Sequence, residues 1–296
     1  MELDASHEQP DAVSVAPVAS TGENRYRWVV LFVVWAAFLL SYVDRVAWSS
    51  VAAPVGQSLG LSVKMLGAFV TAFYVGYVIA NLVGGILTDR FGGRRTLAFA
   101  LLPLGIATFC FGEIRTLNAG IWVQALMGLA AGADYSAGIK IISAWFDKDR
   151  GRAMGIYVTA TSLAVVVANF AVPRITEAFG WSNAFRVLGV CTAGWTLAAL
   201  FLIKDAPEKV VMAKPATTEV LALLRNRNIL LLSLAGLCAW WAVVGFSAWG
   251  NALMTKGRGI GPVTAGSIIA LLGLGPRLQN RSWAGCPTCS GEGARS

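Results

Sequence analysis

The chain has 296 residues, 56% of them hydrophobic and 14% charged, with a net charge of +8. A soluble domain carries about 25% charged residues, so this composition excludes one and predicts an all-α polytopic membrane protein. In a soluble chain the basic balance would suggest nucleic acid. Here basic loops on one side of a bilayer account for it, and no nucleic-acid partner is expected.

Residues 1–24 are polar, partly acidic and without an apolar core, so they are not expected to be a signal peptide. Residues 1–27 read as a disordered cytoplasmic tail. That tail holds His7, the single histidine, so no histidine-based catalytic or metal site is expected. Eight apolar segments follow, at 28–53, 65–87, 97–112, 119–144, 153–172, 184–203, 228–253 and 262–275. The third and the last are short for a bilayer crossing.

The first segment contains Asp44 and Arg45 side by side. If the helix ended before them, the apolar part from Trp28 to Val43 would be 16 residues, short of the roughly 20 a crossing needs. The two charges therefore fall within the span. A charge at that depth costs about 2.5–3.5 kcal/mol on insertion scales and usually faces a water-filled cavity or another charge. The alternative is that the pair only stabilises helix packing. In the second segment Tyr74, Tyr77 and Asn81 share a helix face.

Gly84 to Arg95, GGILTDRFGGRR, reads as a tight basic turn. Glycine permits the reversal, the arginines stay at an anionic leaflet, and Asp89 can pair with them or cap a helix. The fourth segment carries Asp134, Tyr135 and Lys140 in GADYSAGIKIISAW. Gly128, Gly132, Ser136 and Lys140 recur every four residues, and small residues on such a stripe mark close helix packing. Lys140 lies five residues from Trp145, so it either snorkels to the interface or serves a substrate or ion pair. Asn169, in the fifth segment, is a lesser candidate.

A polar stretch at 204–228 reads as a cytoplasmic linker between a six-helix bundle at 28–203 and a partial second bundle of two helices at 229–275. Residues 276–296 turn abruptly to Pro, Arg, Ser, Gly and Cys without helical period. An exposed tail is one reading; a reading-frame change or truncation fits the abruptness better. Cys286 and Cys289 form a lone C-x-x-C, a weak metal or redox signal. No metal and no cofactor is expected. Cys110, Cys191 and Cys238 read as inert packing residues.

With the N-terminus inside, alternate loops gather thirteen lysines and arginines on the cytoplasmic side, from Arg25 to Arg227, against five on the other. This asymmetry predicts a cytoplasmic N-terminus, and the expected location is a bacterial inner membrane. In intact cells, on a background without native cysteines, a cysteine at position 116 is expected to label and one at position 20 to stay protected. The reverse pattern would invert the topology.

The spacing G-x-x-x-D-R-x-G, with Gly85, Asp89, Arg90 and Gly92, resembles the signature loop of the major facilitator superfamily. Gly93 stands where that family usually has a basic residue, followed by Arg94 and Arg95. AWFDKDRGRAMGIY, Ala144 to Tyr157, resembles the tryptophan-containing turn of many such carriers. YVDRVAWSSVAAP, with Tyr77 and the paired glycines of the second segment, resembles the anion:cation symporter branch, which carries organic anions such as sugar acids.

The resemblance implies alternating access of two bundles about a central site. It implies substrate contacts at Arg45, Tyr74, Tyr77, Asn81 and Lys140, proton coupling at Asp44 and Asp134, and a gating loop of Gly85, Asp89, Arg90, Gly92 and Arg94. The expected partners are a small organic anion, a proton and the lipid bilayer. The implied function is secondary active transport of a carboxylate or sugar acid, proton-coupled. The alternatives are a transporter-like sensor and a carrier fragment that does not transport.

An enzyme is not expected, since no paired carboxylates, zinc ligands or nucleophile–base set appear. Two positions depart from the family pattern. Gln124 stands where proton-driven members often have an arginine. The seventh segment has no lysine or arginine, which disfavours organophosphate antiport.

Overall fold

The computed structural model describes residues 21–146, 149–204 and 226–271, and over these the chain is helical. The helices are α1 (Thr21–Ser58), α2 (Val63–Phe91), α3 (Gly93–Phe111), α4 (Leu117–Ala131), α5 (Asp134–Trp145), α6 (Arg150–Phe179) and α7 (Trp181–Leu202). After these come α8 (Arg227–Ala252), extended by a π-helical turn at Leu253–Gly257, and α9 (Pro262–Ala270). Six of the helices are long and apolar enough to cross a membrane. The protein is an integral membrane protein with an all-α fold. Most of the expected linker, residues 276–296, and His7, Cys286 and Cys289 lie outside the described residues.

Three expectations need correction. The first helix starts at Thr21, so the last seven residues of the expected tail are helical. Tyr26 donates a hydrogen bond to the Leu202 carbonyl oxygen, and Arg27 pairs with Asp149 at 3.2 Å. Side-chain contacts to distant helices thus hold this turn where no local hydropathy signal marks it. The fourth segment is two helices rather than one: α4 has 15 residues and α5 has 12. The break falls at Gly132–Ala133, where the Ser136 hydroxyl bonds back to the Ala133 carbonyl at 3.0 Å. A glycine beside such a bond loosens the helical ladder. Finally, Cys110, Cys191 and Cys238 are exposed rather than packed in the core, on helices whose outer faces meet lipid.

The α2–α3 connection is a single residue, Gly92, at φ 81°. This left-handed conformation strains any residue with a Cβ, so the helix reverses there and Asp89 and Arg90 remain in α2. Gly93 opens α3 close to α5: a Cβ there would lie 2.6 Å from Ile141 Cγ1. The basic residue usual at this position in the resembled family has no room.

Small residues bring helices into backbone contact. A Cβ on Gly128 would sit 1.9 Å from the Phe73 oxygen, so α4 rides directly on α2. α3 and α7 meet likewise at Gly105 and Gly189. Without a hydrophobic drive between helices in lipid, such contact is what holds them. α1 packs against α5, α6, α7 and α8. Its Trp48 lies edge-on to Phe69 and Phe111, ring centroids 5.2 and 5.9 Å away. Leu82, Phe99, Trp122 and Phe201 are more than two-thirds exposed, as lipid-facing side chains are.

In the α3–α4 turn the Glu113 carboxylate accepts a hydrogen bond from Arg186 Nε at 2.6 Å. That bond holds the Glu113 carboxyl below its usual range. A folded-state value below the unfolded one stabilises at pH above the unfolded carboxyl range and is lost as pH falls through the folded value. Glu113→Gln is therefore expected to flatten the loss of thermal stability below about pH 4. The effect is small because the pair is exposed, and melting curves across pH at low salt would read it.

Candidate functional site

A cleft of about 610 Å³, its open mouth included, lies among α1, α2, α4 and α8. Arg45, from the central part of α1, lines it together with Tyr42, Tyr74, Phe73 and Gln124, and Trp240 and Ser247 come from α8. The Arg45 guanidinium carbon is 4.2 Å from the Tyr77 ring centroid, 4.9 Å from Tyr42 and 5.8 Å from Phe73. Aromatic faces attract the cation through their quadrupole, yet they take none of its hydrogen bonds. The buried Nε has no hydrogen-bond partner. Among the described residues no carboxylate comes within 4 Å of Arg45 as an ion pair. The guanidinium fork therefore keeps donors for a carboxylate, which it binds in bidentate fashion.

Asp44 and Arg45 do not serve each other. Adjacent residues are about 100° apart around a helix of 3.6 residues per turn, and here they part. The Asp44 carboxylate is buried and accepts from Thr192 Oγ1 at 2.8 Å and Thr108 Oγ1 at 3.3 Å. α3 and α7 thus position it through these two threonines. Asp134, in the first turn of α5, is 1% exposed and accepts from the Ser41 hydroxyl. It attracts Arg45 electrostatically. One oxygen of each carboxylate has no hydrogen-bond partner, which leaves an atom able to take a proton. Tyr157, also buried with an unpartnered hydroxyl, stacks on Phe38 at 4.7 Å.

Arg45, Tyr74, Tyr77 and Asp134 are brought into one neighbourhood. Two residues expected with them are placed elsewhere. Asn81 is exposed and donates to the Tyr77 carbonyl oxygen of its own helix at 2.8 Å. Lys140 Nζ is 2.7 Å from Asp89 Oδ1 and 3.0 Å from the Thr88 carbonyl oxygen. This lysine closes the α2–α3 turn against α5 through an ion pair with Asp89, one of the roles its sequence position left open. In the same region Arg94 Nη2 donates to the Leu200 carbonyl oxygen at 2.5 Å. Arg90 lies 5.7 Å from the Phe91 ring centroid, and Gly85 has open space around it.

Sequence reasoning missed Ser41, Thr108, Thr192, Tyr42 and Trp48. Ser41 had a signal, one helical turn before Arg45; the threonines had none, since their relation to Asp44 spans 64 and 148 residues. Asn251 was also missed. Its Nδ2 reaches Asn169 Oδ1 at 2.7 Å and the Ser49 and Ser50 hydroxyls at 3.1 and 3.2 Å, joining α8 to α1 and α6. Among the described residues no three of His, Cys, Asp and Glu gather as a metal site would require.

The sequence profile of the Major Facilitator Superfamily matches residues 33–280. The chain is 30% identical over 184 residues to a probable sulfoacetate transporter of Cupriavidus necator, covering 62% of this chain and 43% of that protein. It is 26% identical over 296 residues to a probable galactarate/D-glucarate transporter of Bacillus subtilis, covering 88% of this chain and 64% of that protein. A membrane sensor protein of Salmonella typhimurium is 24% identical over 278 residues, covering 86% of this chain and 63% of that protein. The chain thus spans 43% to 64% of the length of these relatives. Among solved structures, an inward-facing bacterial homologue of the human lysosomal transporter Spinster superposes with a TM-score of 0.74 at 16% identity. It covers 86% of this chain and 60% of that one. At that identity the likeness shows the fold alone.

Proposed function

The chain belongs to the Major Facilitator Superfamily, and from that premise we propose that it serves secondary active transport of a small organic anion, coupled to protons. The family is a class of membrane transporters and not of enzymes. The observation that carries the reading is Arg45: a guanidinium inside a membrane-spanning helix, on a cleft, ringed by aromatic faces and without a carboxylate partner. A charge at that depth without a contact ion pair is costly even with Asp134 attracting it from nearby, and a bound carboxylate would relieve the cost. Several relatives bear names of anion transporters, for sulfoacetate, galactarate and D-glucarate. The N-terminus is cytoplasmic in this reading.

Arg45, Tyr74 and Tyr77 hold the anion, while Asp44 and Asp134 take up and release protons. The turn of Gly85, Asp89, Arg90, Gly92 and Arg94, tied to α5 through Lys140, moves as a gate. With acid outside, proteoliposomes are expected to accumulate labelled organic anion, and Asp44→Asn is expected to weaken gradient-driven uptake more than binding. Uptake indifferent both to the pH gradient and to Arg45→Ala would overturn the reading. A second reading, a sensor that binds without translocating, is favoured by the membrane sensor relative. Arg45-dependent binding with no flux would select it.

A further inference from the structure

The cleft around Arg45 carries a charge count and a lining that bear on which anion it accepts, granted the anion-carrier reading above. Arg45 is the only cation on its lining among the described residues, and Asp44 is the only anion. Gln124, 3% exposed on α4, contributes a neutral amide to the lining. α8 contributes no lysine or arginine from Asn228 to Ala252. A second carboxylate entering this cleft would meet no second cation among the described residues, and a desolvated charge without one is strongly unfavourable.

The rest of the lining is mostly apolar: Trp48, Val70, Phe73, Trp240, Val243 and Val244. Its Ser49 hydroxyl is already engaged, donating to the Val46 carbonyl oxygen at 3.0 Å and accepting from Asn251. The Trp48 indole N–H is buried and without a partner, a spare donor on a residue of the same lining. A polyhydroxylated diacid would lose hydration to these apolar walls and, Arg45 apart, could regain hydrogen bonds only from the hydroxyls of Tyr42, Tyr74 and Ser247, the Gln124 amide and the Trp48 indole. An apolar body would gain from the same walls.

We propose that this cleft selects organic monoanions with an apolar body over dicarboxylate sugar acids, and that the neutral Gln124 sets the choice. Arg45 grips the single carboxylate, and the aromatic and valine side chains of α2 and α8 cover the body. The amide of Gln124 leaves no countercharge for a second carboxylate.

Isothermal titration of the purified 296-residue chain with benzoate, D-gluconate and galactarate tests this. Benzoate is expected to bind at least about tenfold tighter than galactarate, with gluconate between them. Arg45→Ala is expected to remove binding of all three. Gln124→Arg is expected to bring galactarate level with benzoate. Gln124→Lys gives the same reading if the guanidinium destabilises the fold, and Gln124→Ala leaves the order unchanged. Galactarate binding as tightly as benzoate in the wild type, still dependent on Arg45, would overturn the selectivity and leave the carrier reading standing. Gluconate ahead of benzoate would overturn the apolar preference. An unchanged ratio in a folded Gln124→Arg or Gln124→Lys variant would remove Gln124 from the argument. No Arg45-dependent binding of any probe would bring down both readings.

Discussion

Arg45→Lys is expected to abolish organic-anion binding nearly as completely as Arg45→Ala, although it keeps the charge. The guanidinium presents a planar fork that matches a carboxylate with two parallel bonds; an ammonium is a point charge and is more strongly hydrated. Arg45 also lies within 4.2–5.8 Å of three ring centroids, those of Tyr77, Tyr42 and Phe73. Its flat group can lie against such rings in a way that a tetrahedral ammonium cannot. Loss of two charge-assisted bonds at about 1.5–3 kcal/mol each predicts a fall in affinity of more than about a hundredfold. Titration of the purified variants would read it. Wild-type affinity in the lysine variant would mean that the arginine acts only as a point charge.

Gly128→Ala is expected to disrupt the bundle, and Gly128→Val to prevent its accumulation. The added Cβ would lie 1.9 Å from the Phe73 oxygen and 2.9 Å from the Tyr77 nitrogen, so α4 must withdraw from α2 along its length. Overpacking in a tight core typically costs about 1–3 kcal/mol, and here the obstructing atoms are backbone, which has no rotamer to change. Withdrawal also displaces Phe73 and Tyr77, the aromatic faces beside Arg45. Gly85→Ala is the control: nothing lies within 4 Å of its added Cβ, so folding should be unaffected even though Gly85 belongs to the signature turn. Size-exclusion profiles and melting temperatures in detergent would separate the two. A monodisperse Gly128→Val protein with wild-type stability would show that α2 and α4 do not meet as described.

These consequences divide between what is written locally and what is not. Hydropathy along the chain determined the membrane class, because crossing a bilayer requires about 20 consecutive apolar residues whatever their neighbours. The same local argument put Asp44 and Arg45 inside a span, and the G-x-x-x-D-R-x-G turn carried the family. Small residues at every fourth position marked one face of α4 for close contact, which Gly128 and Gly132 make against Phe73 and Ala80 of α2.

Only the tertiary structure decided which side chains meet. Asp44 and Arg45 are neighbours in sequence and part company in space, one held by Thr108 and Thr192, the other by Tyr42, Phe73 and Tyr77. Lys140 continues the stripe of Gly128, Gly132 and Ser136 against α2 and ends it in an ion pair with Asp89, a partner that the stripe alone does not name. The reason is physical. Hydropathy is a property of each segment against lipid and is read along one helix. The angle and register at which two helices pack depend on both surfaces at once, and no single segment contains that information.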